Sequence, residues 1–534
     1  MLSLSVVRGA RYLRSSFLSS RKARSGSTLG AGRIDETQEI RHWKKRGCRE
    51  KIDWRRYGPE GLGSSLVANA TSRVLLPVAV CLITFAGSLA GTGDDNIPNY
   101  VAGKLIQLND NGAWSWFMDP RVIVDNGKLI VGSVRAIGTF QTGAADPRWG
   151  NVEIAVYDVA TGKVATTVLH PHLEQDDHDA PAFLVRPDGR YLAMYSKHAA
   201  ERKMYYRISE PHNALAWGPT LSVETPGSDA NYAGNNDTYA NPFRLPDGRM
   251  LNFFRGFHHE PNYMVSKDDG QTWTYGGHWL YGKGGYSPYL KYAYDGKGTV
   301  HFVATEDHPR NFDNSLYHGY LRNGTIYHSD GARVGELSTS TEATIPTWEL
   351  TKVFQGTPDN VAWMIDLELD RDARPYVLFS CQIDGRGLPR GQGGMDLRYH
   401  FARWDGTAWH SEEIAHAGTR LYAGEDDYSG LGALDPKNPD VAYISTDADP
   451  VTGAPLVSQA DRRRHYELFR GNRDARADKW NWVPFTRNST YDNLRPIIPK
   501  WSDSRTALVW MRGSYSNNHG EWTTSVVAVI LPHA

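Results

Sequence analysis

Four side chains between Asp177 and Phe257 are of the types that move protons and hold anions: His178, His198, Tyr239 and Arg255. They fall in two segments, DDHDAPAFLVRPDGRYLAMYSKH and TYANPFRLPDGRMLNFFRGF, each with apolar runs flanking a Pro-Asp-Gly turn signal. His178 and His198 each lie ten residues from Asp188, and Tyr239 and Arg255 each lie eight from Asp247. Positions equidistant from a tight turn face one another in an antiparallel hairpin. His178 is therefore expected to meet His198, and Tyr239 to meet Arg255, at the mouths of neighbouring hairpins. Two imidazoles, a phenol and a guanidinium on one rim suit acid–base chemistry on an anionic substrate. An unperturbed phenol, with a pKa of about 10, needs a neighbouring cation to serve as a base. Arg255 is expected to supply it.

The elements that must carry these residues recur along the chain. Units of two apolar strands around a polar turn start at Phe117, Asp177, Thr238, Gly285, Met364, Tyr428 and Asn493, mostly sixty to sixty-five residues apart. One hairpin plus two outer strands fills such a period, so the expected fold is all-β, a seven-bladed β-propeller of four-stranded blades. His178 and Tyr239 each stand three residues before a proline, as does Phe117 in the preceding unit, so the same place in three successive blades holds Phe, His and Tyr. SKDDGQTW, Ser266–Trp273, fits the Asp box, a structural turn of sialidase-like propellers.

Charge and cysteine content exclude several classes. A formal net charge of −1 gives no global signal for nucleic acid. Of three cysteines, Cys48 and Cys81 precede the globular part, which leaves Cys381 as core packing and excludes a disulfide framework there. Residues 1–72 read as a poorly ordered or non-native leader. Residues 73–90 contain the apolar run VLLPVAVCLITFAGSLA behind Arg73 and read as a signal peptide, with cleavage near Ala90. Residues 91–104 then form a linker, and 105–534 the propeller. The expected product is a secreted or periplasmic monomer without stable membrane contact.

From about residue 105 the chain resembles the BNR-repeat polysaccharide lyases, in particular the seven-bladed propeller ulvan lyases. The resemblance rests on DDHDAP, YSKH twenty residues later, the Tyr of TYANP, the Arg of FFRGF and the C-terminal LVWMRGSYS. It implies catalytic roles for His178, His198, Tyr239 and Arg255, and an acidic, sulfated polysaccharide as substrate. Such a lyase removes the C5 proton of a 4-linked uronate and expels the O4 substituent. Arg255 would pair with the carboxylate, and Tyr239 would take the C5 proton and pass one to the leaving oxygen. Either histidine would bind the carboxylate or act as a second base. Arg135, Arg202, Arg207 and Arg310, close in sequence, are expected to bind sulfate or carboxylate at flanking subsites.

The chemistry requires no cofactor. A second histidine group, His259, His318 and His328 with Asp330, and with His308 nearby, is expected to hold a structural Zn²⁺, a cation that accepts imidazole and carboxylate ligands. A lyase releasing terminal rhamnose from glucuronate and a non-catalytic glycan-binding propeller remain alternatives. A single Asp box and no evident arginine triad argue against a sialidase.

Overall fold

The computed structural model describes residues 97–136, 147–226, 236–283, 288–389, 391–515 and 519–532. The leader and signal segments expected over residues 1–90 lie outside the described residues.

Each of the seven repeated units forms the first two strands of an antiparallel sheet. The strands nearest the channel are Val122–Asp125, Ala182–Val185, Thr238–Arg244, Leu290–Tyr294, Val361–Leu369, Gly432–Leu434 and Asp492–Ile497, in blades 1 to 7. The second strand of a blade is buried on both faces, which is why it reads as a nearly continuous apolar run. Every residue of Tyr191–Tyr195, Met250–Arg255 and Pro375–Gln382 is buried. By contrast, the outermost strand of blade 1, Lys163–His170, is mostly exposed. The Pro-Asp-Gly turns work as their residues demand. Gly189 and Gly248 adopt φ of 74° and 87°, while Asp188 and Asp247 accept from the amides of Arg190 and Arg249 at 3.1 and 3.0 Å.

The seven four-stranded blades match the sequence-based expectation, with additions. Leu221–Glu224 extends blade 2, and Arg333–Glu336 and Thr351–Phe354 extend blade 4. The fourth strand of blade 7 comes from the opposite end of the chain: Ile106–Gln107 pairs with Val527 and Ala528, closing the ring. The described part of the expected linker is not mere connection. Its Tyr100–Val101 pairs with Thr486–Arg487, and the Arg487 guanidinium lies 4.4 Å from the centroid of the Tyr100 ring.

Large aromatic side chains fill the space within and between blades. Trp114, Trp279 and Trp510 are fully buried, as are Phe183, Phe253, Phe302 and Phe379. Burying each side chain of Phe size stabilises the fold by about 1.5–3 kcal/mol. Cys381 is a free, buried cysteine of this core. The Asp box links the outer strands of blade 3: Ser266 Oγ accepts from the Gly270 amide at 2.8 Å, Asp268 from the Thr272 amide at 2.9 Å, and Trp273 is buried.

Candidate active site

The site begins at a 3-10 turn, Asp177–Asp179, that leads into the channel strand of blade 2. Asp176 caps this turn by accepting from the His178 amide at 3.0 Å, and the same carboxylate ties down both imidazoles. Its Oδ1 lies 2.6 Å from His178 Nδ1, and its Oδ2 lies 2.8 Å from His198 Nδ1. His198 follows the second strand of the hairpin and is fixed further by its amide, which donates to Glu174 at 2.6 Å. The two rings stack at 3.7 Å with 5° between their planes. The hairpin register continues as expected: Ala182 pairs with Met194, and Val185 with Tyr191.

At the blade 3 hairpin the register differs from the expectation. A bulge between Thr238 and Asn241 places Thr238, not Tyr239, opposite Arg255, and Tyr239 takes a left-handed φ of 70°. The bulge turns the Tyr239 ring beneath the guanidinium, whose carbon lies 5.0 Å from the ring centroid. Arg255 also donates to Tyr289 Oη at 3.2 Å and to Thr238 Oγ1 at 3.0 Å. Tyr239 lies 5.5 Å from both the His178 and Phe117 rings, so all four expected residues share one site.

Several contributors were not picked out from the sequence. Asp177 sits in a buried network in which the Arg495 guanidinium and Tyr515 Oη both donate to its carboxylate, the latter at 2.6 Å. His519, from the last loop of blade 7, packs edge-on against both imidazoles and lies 3.3 Å from Asp176 Oδ2 through Nε2. Tyr289 and His308 continue the wall towards Arg310, which contacts His308 Nε2 at 3.0 Å. The acidic run beside His178 was a visible signal for Asp176 and Asp177; His519 had none, because ring closure brings it in.

Electrostatics divides the four groups. Burial opposes the charge on His178, but Asp176 and Asp177 outweigh it and raise the imidazole to about 9. Burial lowers His198 to about 4, helped by the charge on His178 and opposed by Asp176. Burial also resists ionisation of Asp176 and Asp177. His198 and His178 nevertheless hold Asp176 well below the usual range, and Arg495 and His178 do the same for Asp177. Burial and then Tyr289 push the Tyr239 phenol well above its ordinary value, and Arg255 offsets this only in part. The expectation that Arg255 would ready Tyr239 as a base is thus corrected. Near neutral pH the site presents an imidazolium, a neutral imidazole, a neutral phenol and a guanidinium.

The expected flanking arginines behave differently. Arg135 is buried between Glu153, at 2.9 Å, and Asp110, at 2.5 Å. Arg207 donates to the backbone carbonyls of Leu169, Trp217 and Gly218, and Arg202 to that of Thr225 at 3.4 Å. These three brace the sheets. Arg310 alone of the four contacts the wall of the site, and it is paired with Glu425 at 2.9 Å.

The expected zinc ligands do not converge. His318 is buried against His301 at 3.2 Å and Ser329 at 2.8 Å; His328 lies 3.3 Å from Thr351 Oγ1. Asp330 is exposed and caps the Ala332 amide, while His259 belongs to a turn beside Arg255. Among the described residues, Asp176, His178 and His198 form the group whose ligand atoms, all within 4.8 Å of one another, have the spacing for a metal ion. There the imidazole–carboxylate hydrogen bonds use those same atoms.

A seven-bladed propeller with an imidazole pair, a phenol and a guanidinium at its rim is thus the class that fold and site define. The profile of the BNR repeat-containing family matches residues 146–417, and the chain belongs to that family. No curated protein sequence matches it. Among solved structures, it is similar to a polysaccharide lyase, an ulvan lyase bound to -[GlcA(1-4)Rha3S]-, at 14% identity and a TM-score of 0.55. That match covers 79% of this chain and 94% of the other. A second, the polysaccharide lyase Uly1, matches at 11% identity and a TM-score of 0.50, over 82% and 100% of the two chains.

Proposed function

We propose that this protein is a polysaccharide lyase that cleaves a uronic-acid-containing polysaccharide by β-elimination. The observation that carries this reading is the convergence of His178, His198, Tyr239 and Arg255 in one site with two cations and two neutral proton-transfer groups. Arg255 and the His178 imidazolium bind the uronate carboxylate and stabilise the charge that develops on it when C5 is deprotonated. The neutral His198 takes the C5 proton through Nε2, its Nδ1 being held by Asp176. The electron pair of the C5–H bond forms the C4–C5 double bond, and the C4–O4 bond breaks. Tyr239, kept neutral by burial, donates its proton to the departing oxygen and regains one from solvent as the product leaves. The similarity to two polysaccharide lyases supports the reading at the level of fold. A polymer outside the cell calls for an exported enzyme, in keeping with the signal-like run Val74–Ala90.

The test is to mix the purified protein with ulvan and follow the ultraviolet absorbance of the unsaturated uronate. The absorbance is expected to rise with the parent protein and to be lost in His198→Gln. If no unsaturated ends form from ulvan, from its desulfated form or from a glucuronate polymer, the lyase reading is wrong.

A further inference from the structure

Beyond Tyr289 and His308 the wall of the site opens into a cavity of about 550 Å³ between the loops of blades 4, 5 and 6. Arg310 joins the two. It contacts His308, whose ring packs 5.4 Å from Tyr289, the residue bonded to Arg255. On the lyase reading, a saccharide chain leaving the Arg255 side of the site would reach this cavity, whose volume falls in the range of small-molecule pockets.

The charges here do not suit a sulfate ester. Among the described residues, three basic and four acidic side chains line the cavity, and each of these bases has an acid partner. Lys283 pairs with Glu306 at 3.2 Å, Arg310 with Glu425 at 2.9 Å, and Arg386 with Asp359. On the opposite side, Asp426 accepts from Arg420 at 2.6 Å and from the Gly391 amide at 2.7 Å, which holds Gly391 in place there. A sulfate entering here would have to break an existing ion pair or sit beside the acidic side chains of the lining; both are unfavourable where water is partly excluded. Sugar hydroxyls face no such penalty, because carboxylates and amides accept and donate to them directly. Phe312 adds an apolar face for a pyranose ring.

We infer that this cavity is a subsite for an uncharged, unsulfated sugar residue, so that the substrate is a uronate polymer whose neighbouring unit is neutral there. The inference rests on the lyase reading for the position of the uronate, but binding tests it separately. Ulvan and chemically desulfated ulvan would be titrated calorimetrically at one ionic strength into the Tyr239→Phe variant, and both would be offered to the parent enzyme for cleavage. The desulfated polymer is expected to bind roughly tenfold more tightly, a difference of about 1.4 kcal/mol. Asp313→Lys reverses an exposed charge on the cavity rim, and is expected to shrink that preference to roughly threefold or less at low salt. Native ulvan binding as tightly as the desulfated form, or more so, would overturn the neutral subsite while leaving a cleaving enzyme a lyase. Tighter binding of the desulfated form without cleavage of either, or of a glucuronate polymer, would support the subsite and refute the lyase. No binding of either polymer would overturn the subsite, and cleavage by the parent protein would still decide the lyase reading.

Discussion

Asp176 offers the most direct handle on the proposed chemistry, because one carboxylate sets the state of two imidazoles. In Asp176→Asn the cap on the 177–179 turn survives, since the amide oxygen still accepts from the His178 amide, but the negative charge is gone. His178 stands at about 9 with both acids present, some 2.5 units above its ordinary value, equivalent to about 3 kcal/mol. Burial opposes that rise, so the attraction from Asp176 and Asp177 together exceeds this net figure. Losing Asp176, the larger of the two attractions, should return His178 to near or below its unperturbed value and leave it neutral at pH 7. For the parent enzyme, kcat/KM should form a plateau with an acid limb near pH 4, where His198 protonates, and an alkaline limb near pH 9, where His178 loses its proton. In Asp176→Asn the alkaline limb should move about two units or more towards acid, and activity at pH 8 should fall by roughly 10- to 30-fold. The assay is the pH profile of unsaturated-uronate formation, with NMR titration of the His178 ring beside it. An alkaline limb that stays near pH 9 in the variant would refute the assignment of His178 as the carboxylate-binding cation.

Tyr239→Phe keeps the ring under Arg255 but removes the proton donor; turnover should drop ~10²–10⁴-fold while the melting temperature barely changes, and near-parental activity would exclude the phenol as the acid. Arg255→Lys keeps the charge but loses the planar fork, so product formation should suffer more than polymer binding. Arg495→Met strands the buried Asp177 carboxylate and should destabilise the fold by about 3–5 kcal/mol, visible as a lower denaturant midpoint. His301 and His318 are buried as neutral rings, the former lowered to about 4 by burial. Below their unfolded pKa of about 6.5 the unfolded chain takes up protons that the native state refuses. Stability should therefore fall between pH 6.5 and 4, by about 3 kcal/mol from His301 alone, and His301→Phe should flatten that slope.

The fold was legible because a propeller repeats one local pattern: apolar strand, Pro-Asp-Gly or equivalent turn, apolar strand. The arithmetic that joined His178 to His198 worked because the intervening strands keep an unbroken register from Ala182 to Val185. It missed the detail at Tyr239 because a bulge leaves no distinctive residue in TYANP; neither Gly nor Asn stands at the left-handed position. The flanking arginines were misjudged for a different reason. Nearness in sequence to a hairpin mouth does not say which face of the blade a third-strand residue occupies, and Arg207 lies in the third strand of blade 2. His519 lies more than three hundred residues from the histidines it touches, and only the closed ring relates them.

That closure has a consequence for when the site comes into being. Ile106 must wait for Ala528, more than four hundred residues later, before its strand has a partner. Asp177 in turn draws on blade 7 through Arg495, Tyr515 and the carbonyl of His519, which accepts from its amide at 3.0 Å. The 177–179 turn thus has no full support from blade 7 until almost the last residue has been made. A chain ended at Gly513 should therefore make folded hairpins, seen as β-structure by circular dichroism, without making a working enzyme; measurable cleavage by such a fragment would show that the site matures without the seal. On the lyase reading, activity is then the last property the chain acquires.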